Sequence, residues 1–463
     1  MAQAGATRDS RPPLNRLVQM GNLARLQAQL RMATADYKGV YTALGNRPTD
    51  KKTPAVGLGE SGSKRVAPNV LALGLTSLIT DISSEMVVAV FPLFLTAGLG
   101  WGIAGYGAFL GSYHFVEAMF RLVGGLAADR SGNHKTMAVG GYGLSAATRI
   151  GLIAATAAPV PVVPFLLLER VGKGLRAAPR DALISLSSSP ERLGRDFGIH
   201  RAMDACGALI GPLLAAAILW LRPSSFDIVF VISFGLGLIG VLVIVGLVEP
   251  RPVTAPVNQG VDRRLLVMPG PAVRRLCGVA FMLGLWTVAD SLLFLAVLRN
   301  SSLELWVFPL LFSVAAAIYL VLAVPVGRLA DRVGRRRVFF AGHGALIGVY
   351  LSLATFANDV GYVMLGLALV LLGLFYAATD GVLVAATSAV AAEDVRSSAI
   401  AAVTVAGALG RLVSASVFGW FWYRWGITAS LLIFSGCLAL QLVLGASMVN
   451  SSALDSRGTS HDS

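Results

Sequence analysis

Charged side chains inside long apolar runs are the first feature of this 463-residue sequence with chemical content. The run 162–187 carries Glu169, Arg170, Lys173, Arg176, Arg180 and Asp181. At about 100° per residue, its four basic side chains form one positive stripe along a helix. In the run 69–98, Asp81 and Glu85 stand four apart and share a face, flanked by Thr80, Ser83 and Ser84. His114, Glu117 and Arg121 make a stripe in 104–127, and His200, Arg201 and Asp204 lie early in 197–221. A charge deep in a membrane span costs at least about 2.5–3.5 kcal/mol on insertion scales, so such residues face a polar interior. The chemistry on offer is reversible proton uptake by Asp81 or Glu85, and retention of an anionic group by Arg170, Lys173 and Arg176. Arg170 lies roughly 12 Å into its run and belongs near the bilayer middle. The same spacings also allow purely structural ion pairs: Glu169 with Lys173, Glu117 with Arg121, and His200 with Asp204.

The second half of the chain is sparser, with Asp290, Asp380 and Arg411 as its clear intramembrane charges. The asymmetry assigns the proton and the charged part of a substrate to the first half. Phe281, Trp286, Phe294, Phe375 and Tyr376 would then supply a mostly apolar wall for the substrate's body. Lipid contact or helix packing is the alternative for each of these aromatics.

The elements that must position these groups are membrane helices. The chain is 55% hydrophobic and 14% charged, against about 25% charged in soluble domains. From Asn69 onward twelve apolar runs follow one another, each near the ~20 residues needed to cross the hydrocarbon core. The expected fold is an all-α membrane protein of twelve transmembrane helices in two pseudo-symmetric six-helix bundles. Residues 1–66 form a basic cytoplasmic tail, 67–249 the first bundle, 250–272 a proline-rich linker, 273–449 the second bundle and 450–463 a second cytoplasmic tail. Within the first tail, Leu14, Leu17, Leu23, Leu26 and Leu30 suit an amphipathic helix on the inner leaflet, with a disordered tail as the alternative.

The doubling is written into the sequence. Gly125, Asp129, Arg130 and Gly132 repeat the spacing of Gly327, Asp331, Arg332 and Gly334 about 200 residues further on. Gly174-Leu175 with Asp181 recurs at Gly373-Leu374 with Asp380, and Gly207-Ala208-Leu209 recurs at Gly407-Ala408-Leu409. Loops on the side of the charged motif carry Arg130, Lys135, Arg192, Arg195, Arg251, Arg263, Arg264 and Arg328 to Arg337, whereas the opposite loops carry Arg222, Arg299 and Arg424. The motif side is therefore expected to be cytoplasmic, with both termini on it. In helix five, Gly207 and Gly211 lie one turn apart, and Pro212 frees a backbone carbonyl.

Several classes are excluded as expectations. The net charge of +13 resides in loops and tail, which marks a membrane face rather than a nucleic-acid surface. Cys206, Cys277 and Cys437 sit in apolar runs without metal-ligand spacing. No nucleophile constellation or phosphate loop is present, so neither an enzyme nor a cofactor is expected.

With these residues in view, the chain resembles the major facilitator superfamily over nearly everything after residue 66. Gly327 to Arg337 looks like that family's signature loop between the second and third helices of a half, and Gly125 to Lys135 is its weaker first copy. The resemblance implies that Asp129 and Asp331, with Gly125, Arg130, Gly327 and Arg332, act in gating. Leu166 to Ala178 resembles the family's helix-four pattern, in which an arginine followed by glycine four residues later, here Arg170 and Gly174, is associated with proton coupling. Lys173 and Arg176 depart from that pattern. Gly207 to Pro212 is similar to the helix-five motif of drug/proton antiporters, with Ala215 and Ala216 in place of its closing glycines.

Together these readings predict a proton-coupled exporter of a small organic solute, acting as a monomer in the cell inner membrane. Proton coupling falls to Asp81, Glu85 and Arg170. Substrate binding falls to Arg170, Lys173, Arg176, Glu117, Arg121, Asp290, Asp380, Trp286 and Tyr376, and gating also involves Gly207, Gly211 and Pro212. The alternatives are a symporter or uniporter importing an organic anion, or a non-transporting membrane sensor.

Overall fold

The computed structural model describes residues 66–158, 160–189, 192–250, 270–355 and 362–379, a few positions from 383 to 391, and 396–448. The amino-terminal tail, most of the linker, Asp380 and the side chains of Asp129 and Asp331 lie outside the described residues. The first half comprises α1 Pro68–Leu93, α2 Ile103–Ser131, α3 His134–Ala157, α4 Val162–Ser187, α5 Leu193–Leu221 and α6 Phe226–Leu247. The second comprises α7 Pro271–Gly284, α8 Asp290–Arg299, α9 Val307–Val333, α10 Arg335–Ala354, α11 Tyr362–Thr379 and α12 Arg396–Met448. A π-helical turn, Phe94–Gly98, prolongs α1.

The spans map onto these helices with one departure from a one-run, one-helix reading. The seventh span is broken, because α7 stops at Gly284 and α8 restarts at Asp290 although no proline lies between them. The last two spans are two helices joined directly at Gly426, whose backbone leaves the helical region with φ 81°, and the label α12 covers both. Among the described residues, seven segments are long and apolar enough to cross a membrane. α4 falls below that threshold because its stripe of charges dilutes it, and the broken seventh span because neither piece is long enough.

Local chemistry sets the helix ends. Pro68 and Pro271 occupy first-turn positions of α1 and α7, where a missing N–H costs nothing. The two copies of the charged motif make tight turns. Gly132 ends α2 at φ 63° and Gly334 ends α9 at φ 102°, conformations that disfavour a side chain. Asn133 then caps α3, its Oδ1 accepting from the Thr136 N–H at 3.1 Å.

In the first half α1 packs on α5 and α6, and α4 on α2 and α3; in the second, α12 packs on α7 and α10, and α11 on α9 and α10. The halves meet where α2 lies against α12 and α5 against α9. Gly107 and Gly111 bring the α2 backbone directly onto the carbonyls of Ala415 and Leu412. Tyr106 donates to Ser291 Oγ at 2.8 Å, and Ser313 donates to the Leu209 carbonyl at 3.1 Å. A continuous apolar core spans both halves, including Phe91, Tyr106, Leu110, Leu292, Phe294, Phe308 and Phe418. Tyr106 lies in the first turn of α2, at the end remote from the charged turns, and Ser291 in the first turn of α8, just past the break in the seventh span, so the halves are closed against each other there.

Candidate functional site

The stripe of α4 is the centre of the polar interior, and glycines set how closely its neighbours approach. A β-carbon on Gly174 would lie 2.7 Å from the Glu117 carbonyl, so α4 touches the α2 backbone there. Gly207 and Gly211 do the same for α5 on α1, behind the β-carbons of Asp81 and Glu85, each 2.9 Å from where a glycine β-carbon would stand. α5 runs unbroken through Pro212.

Carboxylates from three helices face the stripe one by one. Arg176 Nη2 donates to Asp81 Oδ1 at 3.1 Å, and Lys173 Nζ to Glu85 Oε1 at 2.8 Å. Arg170 donates from Nη1 to Glu117 Oε2 at 2.7 Å and from Nε to Glu169 Oε2 at 2.6 Å, while its guanidinium lies over the Tyr113 ring at 4.3 Å. Arg180 binds its neighbour Asp181 at 3.0 Å and approaches Asp204 at 3.4 Å. Arg176 also covers the Tyr142 ring at 4.4 Å. Each cation of the stripe therefore already has a carboxylate, which offsets the cost of removing it from water.

Two side-chain pairings expected from i,i+4 spacing are replaced by contacts between helices or between adjacent residues. Glu117 is taken by Arg170 rather than Arg121, which instead lies 3.9 Å from Asp181 and is largely exposed. Glu169 is taken by Arg170 and Arg149 rather than Lys173. His200 does approach Asp204, at 3.8 Å, but its shorter contact is with Ser77 Oγ at 2.9 Å. Asp81 partners Arg176, not Arg170, so a proton on Asp81 would act first on Arg176.

The structure adds a residue that the sequence reading passed over. Arg149 of α3 is fully buried and ties four helices together: it donates to Ser84 Oγ of α1 at 3.1 Å, to Ser233 Oγ of α6 at 3.0 Å and to the Ser145 carbonyl of its own helix, and it lies 3.8 Å from Glu169 of α4. A lone arginine among small residues was the available signal.

The second-half aromatics do not form a single wall. Phe294 is buried edge-on to Phe312, and Phe375 packs between His343 and Tyr376. Trp286 donates from Nε1 to Gln441 Oε1 at 3.2 Å. Tyr376 donates to Asp290 Oδ1 at 2.7 Å, which joins two of the expected binding residues.

Toward the charged turns the facing surfaces of the halves are open. On α2, His114 and Arg121 are exposed on the face opposite Val123, and on α12, Thr404 and Arg411 are exposed on the face opposite Val413 and Trp420. These surfaces bound a space between the halves that is sealed at the far end by the Tyr106 core. Among the described residues no cluster of His, Cys, Asp and Glu suits a metal ion.

The family model of the Major Facilitator Superfamily matches residues 73–415 and 299–457. An uncharacterized MFS-type transporter of Methanocaldococcus jannaschii is 28% identical over 367 residues, 78% of this chain and 89% of that protein. The multidrug resistance protein MdtH of Aeromonas hydrophila is 26% identical over 315 residues, 66% of this chain and 76% of that protein. Among solved structures, the nucleoside transporter NupG superposes with a TM-score of 0.67 at 16% identity, over 82% of this chain and 98% of that one. A POT family transporter in complex with 5-aminolevulinic acid gives 0.68 at 13% identity, over 82% and 96%. The fold, the doubled turn and the family match converge: the chain belongs to the Major Facilitator Superfamily, and it is a multi-pass membrane transporter of small molecules rather than an enzyme.

Proposed function

We propose that the protein is a proton-coupled exporter of a small organic solute in the cell inner membrane, with the charged turns facing the cytoplasm. The observation that carries this reading is the pair of contacts Asp81 to Arg176 and Glu85 to Lys173. Each links a carboxylate of α1 to a cation of α4, and both carboxylates keep partial exposure, 14% and 22% of their side chains. A proton taken up by either carboxylate removes its charge and frees the partner cation. The freed cation, buried Arg176 or half-buried Lys173, is then costly where it stands until a new counter-charge arrives or the halves move. Alternating access by rocking of the two halves turns that cost into coupling. Both carboxylates take part in this cycle, while Arg170, held by Glu117 and Glu169, keeps the α2–α4 contact in register. The name of the Aeromonas relative, a multidrug resistance protein, favours export. The basic stripe is a weaker argument for uptake of an organic anion than its sequence suggests, since its cations are already paired.

The test is transport in proteoliposomes carrying a pH-sensitive dye, with ethidium and benzoate as probes and an imposed pH gradient. Asp81→Asn and Glu85→Gln should abolish proton movement driven by the probe while leaving the protein folded. Wild-type coupling in both variants would remove the assignment.

A further inference from the structure

Arg411 differs from the other intramembrane arginines of the central space. It lies midway between Arg396 and the break at Gly426, so it sits near the middle of its span. Its helix is fixed in place there. A β-carbon on Gly284 of α7 would lie 3.3 Å from the Arg411 backbone nitrogen, and the next residue, Leu412, presses its carbonyl onto Gly111 of α2. Around α12, Ala415, Gly407 and Phe418 are buried on the side that Arg411 shares, whereas Val413 and Trp420 are exposed on the opposite, lipid-facing side. Arg411 nevertheless is exposed, as is Thr404 two turns nearer the charged turns. An exposed residue on the inward side of a helix lines the space between the halves.

On the α2 side of that space is His114, exposed and one turn along α2 from Gly111, which meets the carbonyl of Leu412, the residue next to Arg411. The charged groups of the α4 stripe are already engaged: Arg170 with Glu117 and Glu169, Lys173 with Glu85. Arg411 makes no hydrogen bond and no ion pair among the described residues. An arginine near mid-membrane without a counter-charge is costly, and a guanidinium matches a carboxylate with two parallel N–H donors. Among the described residues no counter-charge reaches Arg411, and a ligand carboxylate can bring one.

We propose that Arg411 is the anchor for the anionic group of the substrate, an organic carboxylate held between α12 and the His114 face of α2. The inference rests on the transport reading above, and it names the substrate class. It also moves the anion from the α4 stripe, where sequence placed it, to the opposite half. A carboxylate held there links the two halves on the side where they are apart, which favours closure around it.

The test uses the purified full-length chain at fixed pH, without a gradient. Thermal shifts are titrated with benzoate, salicylate and octanoate, and with benzylammonium as the oppositely charged counterpart. At least one carboxylate should stabilise the wild type, Arg411→Gln should weaken that binding about ten- to a hundredfold, and Arg411→Lys should retain part of it. Unchanged carboxylate affinity in Arg411→Gln, no response to any of the carboxylates, or a preference for benzylammonium would each overturn the proposal. A second measurement is independent of affinity. In a Cys206→Ser/Cys277→Ser/Cys437→Ser background, Arg411→Cys should react with an anionic methanethiosulfonate, and the stabilising carboxylate should slow that reaction; an unreactive thiol would also overturn it. Loss of proton coupling in Asp81→Asn with normal Arg411-dependent binding supports both readings. Coupling that survives Asp81→Asn and Glu85→Gln removes the coupling assignment alone, and binding indifferent to Arg411 removes this one alone.

Discussion

Gly211 holds α5 so close to α1 that a β-carbon at this position would stand 2.9 Å from the β-carbon of Glu85 and 2.7 Å from the Ile82 carbonyl. The second of these neighbours is backbone and cannot swing aside. Gly211→Ala should therefore push α1 away from α4 and lengthen the Glu85 to Lys173 contact. Overpacking of this kind costs about 1–3 kcal/mol. The expected outcome is a lowered unfolding temperature together with a loss of gradient-driven transport that exceeds what the reduced folded fraction explains. Gly143→Ala, where nothing lies within 4 Å, is the control.

Removing one partner of Arg176 and Asp81 should cost more than removing both. Arg176 is 3% exposed, and an uncompensated charge there is destabilising by about 3–5 kcal/mol. Asp81→Asn alone is expected to lower stability, and Asp81→Asn with Arg176→Gln to recover much of it without recovering proton coupling. A double-mutant cycle on thermal or denaturant unfolding, run beside the liposome assay, separates the two effects.

Arg149 should behave as a structural keystone rather than a transport residue. Arg149→Met is expected to destabilise the protein by roughly 3–5 kcal/mol, because Glu169 loses one of its two cations and Ser84 and Ser233 lose a donor. Adding Glu169→Gln to Arg149→Met should then cost less than Glu169→Gln does alone. Expression level and monodispersity in detergent give the first reading, and the unfolding cycle gives the coupling.

The bond from Tyr106 to Ser291 crosses between the halves at the sealed end. Tyr106→Phe removes it while keeping the ring, a loss of about 0.5–1.5 kcal/mol that shifts an open–closed balance about two- to tenfold. Spin labels at the exposed positions Leu99 and Ser302 should report a larger share of the wider distance in the variant. An unchanged distance distribution would mean that the bond does not hold that end shut.

Much of the architecture was legible in the sequence because membrane helices announce themselves by length and hydropathy, and because the charged turn occurs twice. The α4 stripe and the Asp81–Glu85 face were legible for a similar reason, since helical periodicity alone sets them. What periodicity could not give was partner choice. Glu117 has Arg121 four residues away in the same helix, yet Gly174 lets α4 approach α2 closely and Arg170 takes the carboxylate. Arg149 was hidden for the same reason, since the serines that hold it come from α1 and α6 as well as α3, and Glu169 comes from α4. The interruption between Gly284 and Asp290 carried no proline to mark it, and the Tyr350 hydroxyl that receives the Val288 N–H comes from another helix.

At Gly107, Gly111 and Gly419 the main chains of α2 and α12 touch with no side chain between them. A joint of this kind has no rotamers to reset when the helices tilt across each other, so it can serve as a fulcrum. Tyr106 is next to this pivot, whereas Arg121 lies ten residues beyond Gly111, roughly 15 Å along the axis at 1.5 Å per residue, so a small tilt that barely shifts the tyrosine carries the arginine much further.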